Sequence, residues 1–214
     1  MDIDIGSGAG WCCYQWPVSN PRDPDRRLLV SVELERDCRQ DNALRFRSQQ
    51  VFRRLMAGAV RELGLGRTGW LTQSGGDGEL AVLPSAPVAA AVVADLVFVL
   101  DRRLARENAR RAGLDRVRLR VAIHQGRVHL DGAAGFPGEG VVTVSRLVDA
   151  PALRAALHRR PRADVALIVS DPVYRDVVLT GGWPRPDRFH RVGDAPAGWI
   201  FVPDGEVTGG GGER

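Results

Sequence analysis

The residue best placed to do chemistry is Asp77, in the stretch LTQSGGDGELAVLP from Leu71 to Pro84. Glycines flank it, and the stretch reads as strand, turn, strand. Asp-Gly favours tight turns, because glycine takes a positive φ at no steric cost. The same glycines would clear room for a ligand to approach the carboxylate. The local sequence leaves both readings open. A second carboxylate, Glu33, closes the apolar run LLVSVEL, where it is equally an ordinary charged residue at a strand end.

Other chemistries are thinner. His124 and His129 are an odd number of residues apart on one predicted strand, so they point to opposite faces and cannot share a metal from one side. Ser31, Ser74 and Ser145 lack any nucleophile-elbow context. The early GSGAG has no preceding strand, as a dinucleotide loop would require. Cys12 and Cys13 are adjacent and Cys38 is alone, which is neither a disulfide framework nor a zinc spacing. Lysine is absent, and all 30 basic side chains are arginine. That excludes a P-loop lysine and a Schiff-base lysine together.

The elements that would hold Asp77 and Glu33 follow from periodicity. Leu28 to Leu34 reads as a buried strand. Leu44, Val51, Leu55, Ala59 and Leu63 recur at helical spacing and predict a helix over 42–63, capped by Asp41. Strands near 67–73 and 79–83 follow, then a helix from Pro87 to about Ala112. RVRLRVAIHQGRVHL alternates, with Val117, Leu119 and Val121 on one face and arginines on the other, which predicts a long half-exposed strand. A third helix is expected from Gly138 to about His158, then a buried strand in ADVALIVS and a short helix begun by Asp171 and Pro172. FHRVG and GWIFV form a closing hairpin. The fold class is therefore α+β: a ferredoxin-like βαββαβ core with additional C-terminal αβ elements and a closing β-hairpin.

The 214 residues suffice for one large domain, expected over 27–203. Residues 1–26 read as an N-terminal arm that is unusually aromatic at Trp11, Tyr14 and Trp16, and 204–214 as a disordered tail. No apolar run approaches the roughly 18 residues of a membrane helix. The acidic start argues against an export signal, so a cytoplasmic protein is expected. A net charge of +4, with arginine spread along the chain, is weak support for nucleic-acid binding, and none is expected.

Three segments, GGDGELAVLP, RVAIHQGRVHL and GEGVVTVSRLVDAPALRAAL, resemble the class III nucleotidyl cyclase homology domain in order, spacing and element type. The likeness covers roughly 28–202 and is closest to small stand-alone cyclase-like proteins of actinobacteria. It implies a site of two carboxylates that hold magnesium or manganese, which bind a nucleoside triphosphate and activate the ribose 3′-hydroxyl. Asp77 matches the second family carboxylate, and Glu33 stands where the first is an aspartate, one methylene too long. The family's transition-state arginine is kept as Arg146, but its asparagine is Val142, which cannot donate a hydrogen bond. The base-recognition lysine is replaced by Gln73 and the aspartate by Gly135.

The changed positions imply a degenerate domain, acting as a nucleotide-sensing or partner-binding regulatory module with little or no cyclase activity. An active cyclase with altered metal geometry and a purely structural interaction domain are the alternatives. Family members pair head to tail, so the resemblance also implies a homodimer, or a heteromer with the product of a neighbouring gene.

Overall fold

Leu28, Val30, Val32 and Leu34 fall on one side of the first strand and Leu29 on the other, and all are buried. A strand apolar on both faces belongs in the middle of a sheet. A computed structural model places it there, describing residues 25–36, 39–64, 71–83, 87–111, 113–130, 135–181, 184–193 and 196–203. The aromatic arm, Cys38 and the C-terminal tail lie outside these residues.

The chain runs β1 (Asp25–Leu34), α1 (Asn42–Glu62), β2 (Leu71–Ser74), β3 (Gly78–Leu83), α2 (Pro87–Asn108) and β4 (Leu119–Val128). It continues with α3 (Glu139–Val148), α4 (Pro151–His158), β5 (Val165–Ser170), an irregular helix α5 over 171–181, β6 (His190–Val192) and β7 (Gly198–Phe201). The middle of α5, Tyr174–Val178, is a π turn. The seven strands are ordered β2-β3-β1-β4-β5-β7-β6. β1 is antiparallel to both β3 and β4, which makes the first six elements a ferredoxin-like unit as expected. β5 joins β4 in parallel, and the β6–β7 hairpin closes the edge.

One core packs α1, α2 and α5 against one face of the sheet. A second core packs α3 and α4 against the other face. Asp41 caps α1 as its position predicts, its Oδ1 accepting from Leu44 N at 2.8 Å. Tyr174 stacks on Trp199 with ring centroids 3.7 Å apart, fastening α5 to β7.

Two expectations are corrected. The single helix over 138–158 is two helices. Pro151 begins α4 and forces Ala150 into an extended conformation, with φ −55° and ψ 127°, so α3 ends at Val148. Nor is β4 half-exposed. α3 and α4 cover its second face, and Arg120 on that face is only 4% exposed.

Candidate functional site

The β2–β3 turn is pinned to the end of β1. Glu33 lies opposite Gly78 in the ladder, and Leu34 N donates to Asp77 O at 2.8 Å. Gly78 is required there, since a Cβ would stand 2.8 Å from Val32 O and 2.9 Å from the Glu33 side chain. Glu33 and Asp77 thus face one cleft of about 540 Å³, with Ser31, Gln73, Arg120 and Arg154 among its lining residues. That volume lies in the range of small-molecule sites.

Each carboxylate meets an arginine of its own chain. Glu33 Oε2 is 3.0 Å from Arg120 Nη2 across the β1–β4 ladder. Arg120 Nε is 2.7 Å from Glu35 Oε2, and its Nη1 is 3.3 Å from Asp149 Oδ1 and also donates to Val148 O. Three carboxylates therefore surround one buried guanidinium. Glu35 is further bound by His158, whose Nε2 lies 2.8 Å from Oε1. Burial, and then the charge of Asp149, push the Glu33 carboxyl above its ordinary range, against the opposing pull of Arg120. At the other end, Asp77 Oδ1 accepts from Gln49 Nε2 of α1 at 3.0 Å, and Oδ2 is paired with Arg36.

Gln73 and Gly135 are brought together, and in a way that fills the space between them. A Cβ on Gly135 would stand 2.5 Å from Gln73 Oε1, and Gly135 has a φ of +132°. Val142 and Arg146 do not join this cleft. They lie exposed on α3 and line a neighbouring, largely apolar groove with Ala150, Pro151 and Ile168.

No family model matches the sequence, and no curated protein matches it. Solved structures do match the fold. An adenylate/guanylate cyclase/hydrolase from Silicibacter pomeroyi superposes with a TM-score of 0.57 at 21% identity, covering 84% of this chain and 99% of that one. The monomeric guanylyl cyclase domain of the RhoGC fusion protein from Blastocladiella emersonii gives 0.54 at 11% identity, covering 84% and 96%. The guanylyl cyclase Cya2 gives 0.53 at 13% identity, covering 85% and 96%. The chain has the nucleotide cyclase fold.

Within this cyclase-like domain, magnesium or manganese does not fit the residues as they are arranged. One oxygen of each carboxylate that would coordinate it, Glu33 Oε2 and Asp77 Oδ2, is already engaged by a guanidinium group, and Asp77 Oδ1 accepts from Gln49. Among the described residues no cluster of three or more His, Cys, Asp or Glu side chains could hold a metal ion. Displacing Arg120 from Glu33 would also disturb its pairs with Glu35 and Asp149. Arg36 is less constrained, its side chain being 60% exposed.

Sequence reasoning missed Arg120, Glu35 and Asp149 as one cluster, and missed Gln49 and Arg36 as partners of Asp77. Alternation along β4 assigned Arg120 to solvent. The signal lies in the register, which alternation does not supply: an arginine in a strand directly opposite a glutamate of its neighbour is a cross-strand ion pair. The histidines carry no catalytic arrangement. His124 Nδ1 lies 2.9 Å from the buried Ser170 Oγ, and burial lowers its affinity for a proton. His158 serves Glu35.

Proposed function

We propose that this is a degenerate cyclase-homology domain that works as a regulatory module, with little or no cyclase activity. Its cleft takes a nucleotide or a segment of a partner protein. The observation that carries the reading is the Arg120 cluster. A buried guanidinium bound to Glu33, Glu35 and Asp149 supplies positive charge where two-metal chemistry would need free carboxylate oxygens. Three features support it. Arg36 covers Asp77, Val142 lacks the donor that stabilises a transition state, and Gln73 crowds the Gly135 position. A missing preorganised donor alone costs about 10²–10³ in rate.

The test is product formation from ATP, GTP, CTP and UTP with magnesium or manganese, run beside nucleotide binding by thermal shift. Binding without turnover is the expected result. Robust metal-dependent turnover that Asp77→Ala abolishes would overturn the reading.

The working assembly proposed is a homodimer, because Val142 and Arg146 lie outside the cleft of their own chain. The runner-up is a heteromer with a neighbouring gene's product. Light scattering over a concentration series decides this: a monomer at tens of micromolar removes the homodimer. No helix among the described residues is long and apolar enough to cross a membrane, and a cytoplasmic location is proposed on the sequence alone.

A further inference from the structure

The sequence scatters arginine along its length, but the fold gathers it. α1 and α2 pack against each other on one face of the sheet. Together with the turn that ends at Arg111 they hold ten arginines against four carboxylates, Glu62, Asp95, Asp101 and Glu107. That surplus of six exceeds the net charge of +4 for the whole chain, so the remainder is on balance acidic.

The surplus lies in solvent. Glu62 binds Arg102 and Arg103, and Glu107 lies 3.8 Å from Arg54 and 3.7 Å from Arg111. Arg45, Arg47, Arg53, Arg61, Arg106 and Arg110 are exposed, and none has a carboxylate partner among the described residues. Arg47, Arg54 and Arg61 recur every seven residues, one above another, over roughly 21 Å of helix. Arg54 reaches Glu107 of α2, so this row follows the seam between the two helices.

We propose that the α1–α2 face binds the phosphate backbone of a nucleic acid without sequence preference. Charge complementarity selects this partner. Guanidinium groups pair with phosphate oxygens bidentately, and a nucleic acid offers a long, even line of charge to match a long, even row of cations. A lipid surface fits less well, because insertion needs clustered apolar side chains. On α1 and α2 the one exposed large hydrophobic among the described residues is Phe46. None of these arginines is among the cleft's lining residues, and the proposal does not depend on the function proposed for the cleft.

The experiment is fluorescence anisotropy of the full chain with a DNA duplex of about 24 base pairs and its single strand, between about 50 and 200 mM salt. Micromolar binding is expected, with log Kd against log salt rising at a slope of about 3 to 4.5, as three to five phosphate contacts require. The triple substitution Arg47→Glu, Arg53→Glu and Arg61→Glu weakens binding at least about tenfold at the lower salt. An equal change of charge at exposed positions elsewhere, Arg127→Glu, Arg159→Glu and Arg191→Glu, weakens it far less. Glutamine at the first three positions gives a smaller loss in the same direction, and guards against repulsion or misfolding as the cause. Absence of binding at the lower salt, equal losses in the two triple variants, or binding to anionic vesicles but not to DNA would each overturn the proposal.

Discussion

At the β1–β4 end of the cleft, Glu33 meets an arginine that is almost wholly buried and shared with Glu35 and Asp149. At the hairpin end, Asp77 meets Arg36, which is mostly in solvent, and Gln49. Both ends pair a carboxylate with a guanidinium, yet the first is part of the core and the second lies on the rim. Taking one partner from a buried pair strands a charge out of water, whereas an exposed pair exchanges its partner for water at little cost. The two ends should therefore answer very differently to the same kind of substitution.

The largest difference is expected from the arginines themselves. Arg120→Met leaves Glu35, whose side chain is 5% exposed, without its buried cation. A loss of about 3–5 kcal/mol is expected. Arg36→Ala should cost less, about 1–2 kcal/mol, because Arg36 is mostly in solvent and Asp77, though only 18% exposed, keeps its bond from Gln49. Urea unfolding of both variants measures this, and similar midpoints would erase the distinction between the two ends.

An intermediate effect is expected where the hairpin end meets Gly135. A side chain there faces two costs, contact with Gln73 Oε1 and a φ of +132°. Only the first can be relieved. Gly135→Ala should destabilise by about 1–3 kcal/mol, and Gln73→Ala should recover part of that loss but not all. A double-mutant cycle separates the terms. Full recovery would show that the backbone at Gly135 is unstrained, and no recovery that Gln73 moves aside freely. The same crowding means that rebuilding a base-recognition pair with Gly135→Asp requires replacing Gln73 as well.

Restoring catalysis should be harder still, because its parts act as a unit. Glu33→Asp combined with Val142→Asn should gain more activity than either change alone. Each single change leaves another defect in place: Arg120 still holds residue 33, or position 142 still lacks a donor. Strong turnover from Val142→Asn alone would show that the Arg120 cluster does not block the site.

These contrasts mark what could be read in the sequence. The hairpin end was legible, because Asp-Gly, the flanking strands and the capped α1 are local signals, and each element appeared within a few residues of its expected place. The break at Pro151 was also local, but the helical spacing on either side overrode it. The β1–β4 end was not legible from alternation. A period-two pattern shows that Arg120 points away from Val121, but not that another helix layer covers the side it points to. Its partners come from two other elements or their ends, β1 and α3, and only the register brings Glu33 opposite it. The gathering of arginines on α1 and α2 was hidden for the same reason, since the two helices adjoin only once β1, β3 and β4 have paired.

The smallest expected effect concerns protons at Glu33, and it tests whether the buried end behaves as an ion pair or as an overcrowded acid. With three carboxylates around one guanidinium, burial and Asp149 outweigh Arg120, so the folded Glu33 holds its proton above the ordinary value of 4.5. A carboxyl raised on folding favours the native state while protonated. That contribution is present below 4.5 and is lost as the pH rises through the elevated folded value. Glu33→Gln keeps an oxygen that can accept from Arg120 and removes the titration. Relative to the native sequence, the variant should therefore gain stability as the pH rises from about 4 to 7. Urea midpoints for the two proteins at several pH values measure the trend. The opposite trend, with the native sequence gaining on the variant toward neutral pH, would mean that Arg120 holds Glu33 as a stabilised anion. The charge at this end of the cleft would then be balanced rather than in excess.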